Sequence, residues 1–339
     1  MNESSAAALR LLLATAAWGM SFATAKAIML CQDSLMPGLP AWFHAAFVLF
    51  NRMAISALLM QLIWRPIGPA LRRSEVVQGI ELGLFGAFGM LLQTDAQNLI
   101  PASSSAFFTQ FTCVFVPLVV ALRFRSWPSP RVVFACILVL AGCFLLNGVG
   151  RGSLGFGLGE LETILGAALF TGQILAIERT GYAANNMRRV ASVMFAVKAL
   201  VLVPVMCVGV FTHQSDAGWS ATLSGVFLAY GNAPLLGMTM LITLVSTLYA
   251  YLAMTRWQGS VSSTQAGLIY ATEPVFATVW ALFLPGWFSA LSGISYPNEV
   301  LSGGFFKGAL LMLAANALIL FRPHSAPVLN PASPPDNAK

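Results

Sequence analysis

Long apolar runs, each broken by a few polar positions, follow one another along almost the whole chain. Ten of them reach or approach the length that crosses a bilayer as a helix. The pattern predicts helices over about 8–30, 42–64, 76–98, 101–122, 131–148, 158–178, 190–211, 234–255, 261–284 and 304–321. The first run follows Arg10 and could pass for a secretory signal, but it continues through Trp18 to about Leu30, so it reads as an uncleaved span. Two connections, residues 212–232 and 285–303, are apolar enough to lie at the membrane surface. The tail HSAPVLNPASPPDNAK is rich in Pro, Ser and Asn and reads as disordered.

Within this pattern the run 261–284, VSSTQAGLIYATEPVFATVWALFL, stands out for the polar groups Gln265, Tyr270 and Glu273 beside a mid-span Pro274. Hydrocarbon tolerates such groups only where they face protein or water. The run has an echo. Ser262 precedes Pro274 by 12 positions, and Ser105 precedes Pro117 by the same 12. Proline-broken spans at matching places in two halves point to an inverted-repeat transporter and its binding site, although a packing kink explains each proline on its own.

Composition agrees with a membrane protein: 58% of residues are hydrophobic and 9% charged, with a mean hydropathy of +0.78, whereas soluble domains carry about 25% charge. The net charge of +6 forms no basic face, so nucleic acid is not an expected partner. Twelve basic residues fall in the even-numbered connections and the tail (Arg65, Arg72, Arg73, Arg123, Arg125, Arg131, Arg179, Arg188, Arg189, Arg256, Arg322, Lys339). Arg151 falls in the odd-numbered loops, with Lys26 and Lys307 beside them. Twelve against three predicts both termini in the cytoplasm, most naturally of a cell (inner) membrane. Five spans per half then make the second half enter from the opposite side. The expected architecture is an all-α integral membrane protein of ten transmembrane helices in two inverted five-helix repeats, 1–148 and 149–322, with a tail 323–339.

The candidate chemistry is sparse. Five cysteines show no paired spacing and three histidines lie far apart, so no metal, cofactor or disulfide framework is expected. Gly150-x-Gly152-x-x-Gly155 follows no strand and reads as a flexible joint between halves rather than a dinucleotide loop. Two basic residues, Arg52 and Lys198, sit inside corresponding spans. Each is either a long side chain reaching a carbonyl or a counter-charge for an anionic solute or for a carboxylate such as Glu81.

Several short patterns resemble the drug/metabolite transporter superfamily, specifically its ten-helix EamA-type members. They are Trp18-Gly19-Met20-Ser21-Phe22 with Lys26, Arg52 followed by Ala54 and Ala57, Ser103–Ser105 through Pro117, and Glu273-Pro274-Val275-Phe276. Gly286-Trp287 stand where that family usually has a Glu after the ninth helix. The resemblance implies two EamA repeats, alternating-access movement of small metabolites such as amino acids, and a central cavity. The polar residues that could face such a cavity are Ser21, Gln93, Gln110, Gln173, Gln265, Tyr270 and Glu273, with Trp18, Phe22, Phe107 and Tyr249 as aromatic neighbours. Amides and aromatic walls suit a small amphipathic or zwitterionic solute. A glutamine here can equally bond a neighbouring helix. Glu273 is either a carboxyl kept protonated or bonded to backbone freed by Pro274, or a proton-coupling group. The expected partners are thus a small-molecule substrate and the lipid bilayer, and no signature sets an oligomeric state. A channel or non-transporting receptor is the alternative. An intramembrane enzyme lacks a nucleophile–base pair or metal motif.

Overall fold

A computed structural model describes residues 3–63, 71–100, 102–146, 157–177, 179–212, 218–301 and 303–320. The glycine-rich joint before residue 157 and the tail after residue 320 therefore lie outside the described residues. All regular structure among the described residues is helical, without a strand. The helices are α1 (Glu3–Leu35), α2 (Ala41–Ile63), α3 (Arg73–Leu99), α4 (Ala102–Thr109), α5 (Thr112–Phe124), α6 (Pro130–Leu146), α7 (Leu158–Ile177) and α8 (Met187–Thr212). They continue as α9 (Gly218–Gly231), α10 (Ala233–Leu241), α11 (Ala250–Trp257), α12 (Ser263–Tyr270), α13 (Glu273–Ala281), α14 (Leu284–Ser292) and α15 (Phe305–Leu320). Six helices are long and apolar enough to cross a membrane, or seven with the bent run Thr264–Ala281 and Leu284–Ser292 taken as one span. Shorter apolar helices lie at Thr112–Phe124, Pro130–Gly142 and Phe306–Ala315.

Small residues set how closely the helices pack, as expected where lipid supplies no hydrophobic drive between them. On α3, Gly79, Gly83, Gly86 and Gly89 form a stripe. A Cβ on the first two would strike Val193 and Val197 of α8, at 2.5 and 2.7 Å, and one on Gly89 would strike Phe170 of α7 at 2.8 Å. The stripe is the surface on which α7 and α8 lie. Gly19 of α1 does the same for α13: a Cβ there would sit 2.7 Å from the Ala277 nitrogen and 2.8 Å from Cβ of Phe276. The Trp-Gly and Glu-Pro-Val-Phe patterns thus meet at one close helix crossing.

Three spans depart from regular helix. The fourth run breaks at Gln110–Phe111 between α4 and α5. Pro117 lies inside α5, where it cannot bond the carbonyl four residues back. That carbonyl, on Cys113, accepts the thiol of Cys136 at 3.1 Å. The ninth run breaks at Ala271–Thr272, and Pro274 opens α13 where its missing N–H costs nothing. The sharper bend, 50°, comes at the break between Ala281 and Leu284 rather than at Pro274. Between α10 and α11, Ile242–Tyr249 winds as a π-helix. The connection 212–232, expected as a surface loop, holds helix α9. After α14 the chain leaves regular structure and is pinned: Asn298 Oδ1 accepts the Gly286 amide at 2.6 Å, and the Glu299 amide donates to the Ala281 carbonyl at 2.9 Å.

Candidate functional site

The irregular segments converge on one internal cavity, about 660 Å³ of empty space including its mouth. Its wall comprises Trp18 and Ser21 of α1, Arg52 of α2, Met90 and Gln93 of α3, Thr109 of α4, Gln110 at the break, and Thr112 of α5. Phe170, Gln173 and Ile174 of α7, Tyr251 and Met254 of α11, Gly267 and Tyr270 of α12, and Glu273 of α13 complete it. Each of the two breaks places a residue at the wall, Gln110 in one and Glu273 immediately after the other.

The aromatic side is held by ring contacts and hydrogen bonds. Trp18 meets Tyr251 and Tyr270 edge-on, with centroids 5.4 and 5.2 Å apart. Tyr270 donates its hydroxyl to Gln258 Oε1 at 3.0 Å, and Gln258 Nε2 donates to the Ile174 carbonyl at 2.9 Å, which ties α12 to α7. The indole N–H of Trp18 has no acceptor among the described residues. The amide side is fixed by local bonds. Gln93 Nε2 donates to Thr109 Oγ1 at 2.9 Å across α3 and α4, Thr109 donates in turn to the Ser105 carbonyl at 2.9 Å, and Gln110 donates to the Ala106 carbonyl at 3.2 Å.

The charged groups matter most. Arg52 is 2% exposed, and its Nε donates to Thr247 Oγ1 at 2.9 Å. Thr247 itself donates to the Ile242 carbonyl five residues back, at 3.0 Å, a bond of the π-helical winding. That winding therefore sets where Arg52 is held. No carboxylate pairs with Arg52 among the described residues. Glu81, named from the sequence as one alternative partner, pairs with Arg179 at 2.6 Å and accepts the Tyr182 hydroxyl at 3.1 Å. Glu273 has neither a hydrogen bond nor an ion pair among the described residues, although it shares the cavity with Arg52. Tyr251 lies within electrostatic reach of both. Lys198 is fully buried beside the cavity. Its Nζ stands 3.8 Å from the centre of the Tyr251 ring and 3.8 Å from Met90 Sδ.

Of the residues singled out in the sequence, Trp18, Ser21, Gln93, Gln110, Gln173, Tyr270, Glu273 and Arg52 lie on this wall. Four do not. Gln265 is instead a capping residue: its Oε1 accepts the Ser262 amide at 3.0 Å, while Ser262 Oγ accepts the Gln265 amide at 3.2 Å. Phe22 packs with Ala106 and Ala277 where α1, α4 and α13 meet. Tyr249 is 46% exposed, and Tyr251 is the tyrosine of this segment that faces inward. The side chain of Phe107 lies outside the described residues. The wall residues without a sequence signal were Met90, Thr109, Thr112, Phe170, Ile174, Tyr251, Met254 and Gly267.

Comparison with known proteins bears on what such a cavity serves. Residues 5–148 match the EamA-like transporter family. The pseudopaline exporter CntI of one Pseudomonas aeruginosa strain is 28% identical over 245 residues, covering 71% of this chain and 83% of the exporter. The exporter of a second strain is 27% identical over 243 residues, with the same coverage. A solved protein structure, 18% identical, superposes with a TM-score of 0.59 over 93% of this chain and 96% of its own, a likeness of fold. With spanning helices around a polar cavity, these likenesses define an integral membrane transporter. The chain is thus similar to EamA-type proteins of the drug/metabolite transporter superfamily, with the family match on residues 5–148.

Proposed function

We propose that this protein is a secondary transporter that exports a small zwitterionic or amphipathic metabolite across the cell membrane by alternating access. The observation that carries the reading is the cavity itself: an unpaired guanidinium, Arg52, and an unpaired carboxylate, Glu273, share one aromatic-walled space without touching each other. Leaving the buried Arg52 without a carboxylate, and the partly buried Glu273 without a partner, is costly, and a solute bearing one charge of each sign relieves both at once. Export is the direction named for the two Pseudomonas relatives.

The ten-span, two-repeat reading rests on the packing. Let α4–α5 be the fourth span, α10–α11 the eighth, α12–α13 the ninth and α15 the tenth. The pairing of α1 with α13 then has its counterpart in that of α7 with α4, and the pairing of α3 with α8 in that of α2 with the eighth span. The contacts of α2 with α8 and of α6 with α15 map onto themselves. A packing scheme that survives exchange of the halves supports repeats 1–148 and 149–322 and two near-equivalent states open to opposite faces. The loop charges support cytoplasmic termini.

The test is counterflow in proteoliposomes against a panel of small zwitterions, anions and cations, with and without an imposed proton gradient. Saturable counterflow restricted to zwitterions supports the reading. Ionic currents above carrier turnover, or no counterflow with any solute of the panel, would overturn it.

A further inference from the structure

On the outer side of α5, away from the cavity, a groove of about 1050 Å³ of empty space runs between α5 and α6. Its floor is apolar, from Val114, Pro117 and Leu118 to Val132 and Cys136, and its end is closed by Arg125, Ser126, Trp127 and Pro128. The closure is made by backbone geometry. Arg125 caps α5 in the left-handed region, at φ 49°, and is the one non-glycine residue with positive φ among those described. Its amide and that of Ser126 both return to the Ala121 carbonyl.

Arg125 stands at that end, with Arg123 and Arg131 near it in sequence. Arg123, Arg125 and Arg131 have no acidic partner among the described residues, and no Asp or Glu occurs between Asp95 and Glu160. Arg123 also borders a second groove on the other flank of α5, lined by Phe85, Val119 and Leu175. Trp127 is 95% exposed, an aromatic at the mouth of an apolar trough, as at a membrane interface. We infer that this groove is a binding site for an anionic phospholipid, with an acyl chain along α5 and α6 and the phosphate at Arg125 beside Trp127. Charge complementarity selects the occupant: a zwitterionic lipid fits the trough equally well but leaves Arg125, the basic residue of its lining, uncompensated. The inference needs only the membrane setting and stands apart from the nature of the transported solute.

The test uses the full chain in nanodiscs of phosphatidylcholine doped with brominated phosphatidylglycerol or brominated phosphatidylcholine. Quenching of Trp127 is taken as the difference between the wild type and Trp127→Phe. The glycerol lipid should quench at a mole fraction about fivefold lower per engaged arginine, and Arg125→Gln should lower that preference by about the same factor. Ala121→Phe, which fills the trough and leaves the charges in place, should abolish the preference while a cooperative thermal transition shows the variant folded. Equal quenching by both lipids overturns the site. So does a preference that survives Ala121→Phe, since that would be diffuse surface attraction rather than an occupied groove.

Discussion

Arg52 and Lys198 occupy matching places in the second and seventh runs, and both are buried, yet their surroundings differ. Arg52 reaches the cavity wall with one bond, to Thr247, and presents the rest of its guanidinium without a carboxylate. Lys198 is sealed behind the wall by the Tyr251 ring, the Met90 thioether and the space that Gly86 leaves. A Cβ on Gly86 would lie 2.3 Å from Lys198 Cε. The two positions show that a buried cation in a membrane helix has two distinct uses. On the proposed function, one is held open towards the solute. The other is enclosed by polarizable groups and props up the cavity wall.

The largest expected effect separates them directly. Arg52→Leu should reduce transport by at least about 30-fold, since removing one member of a buried charged contact costs about 2 kcal/mol or more. Lys198→Met, which strands no partner and conserves volume, should leave transport within about threefold. Equal losses in the two would erase the distinction. Glu273→Gln extends the comparison to the opposite charge. If the carboxylate couples transport to protons, the variant loses gradient-driven accumulation and keeps solute counterflow; if it contacts the solute alone, counterflow falls with it. Next in size is the fit of Lys198 itself. Gly86→Ala should destabilise by about 1–3 kcal/mol through overpacking, read as a lower midpoint in detergent. Combining it with Lys198→Ala should restore part of that loss, because the two changes share one space. The smallest effect lies outside the spans. Burial raises the Glu299 carboxyl above its usual range, with the Lys26 ammonium partly opposing. A raised folded-state value favours the protonated form, so this contribution to stability is present at acid pH and is lost as pH rises through that value. Glu299→Gln should match the wild type near pH 4 and melt slightly higher near pH 8.

Much of this layout was legible in the residues. The positions of the runs, the polar character of Glu273 and Tyr270, and the two buried cations all appear as polar groups in apolar context, a signal that hydrocarbon makes expensive and therefore informative. What escaped was direction and winding. Gln265 and Gln110 look alike in sequence, but Ser262-x-x-Gln265 is a capping box, a pattern that could have been read and that ties its amide to backbone. Thr109, Thr112 and Thr247 gave no warning, because threonine bonded to its own helix is ordinary in apolar segments. Glu81 shows the limit of pairing charges by span alone: its partners, Arg179 and Tyr182, come from a connection that hydropathy does not place.

The π-helical stretch Ile242–Tyr249 carries a consequence for chain length. A π-winding is a residue too many, absorbed locally without disturbing the helix on either side. Loss of one codon here, for instance that of the exposed Val245, would relax the segment to an ordinary α-helix while leaving α10 and α11 seated as before. The bundle would tolerate the deletion, but Thr247 would no longer meet Arg52. In this segment both the Thr247 hydroxyl and the length of the chain hold the guanidinium, so on the proposed function a chain one residue shorter would keep its fold and bind the solute more weakly.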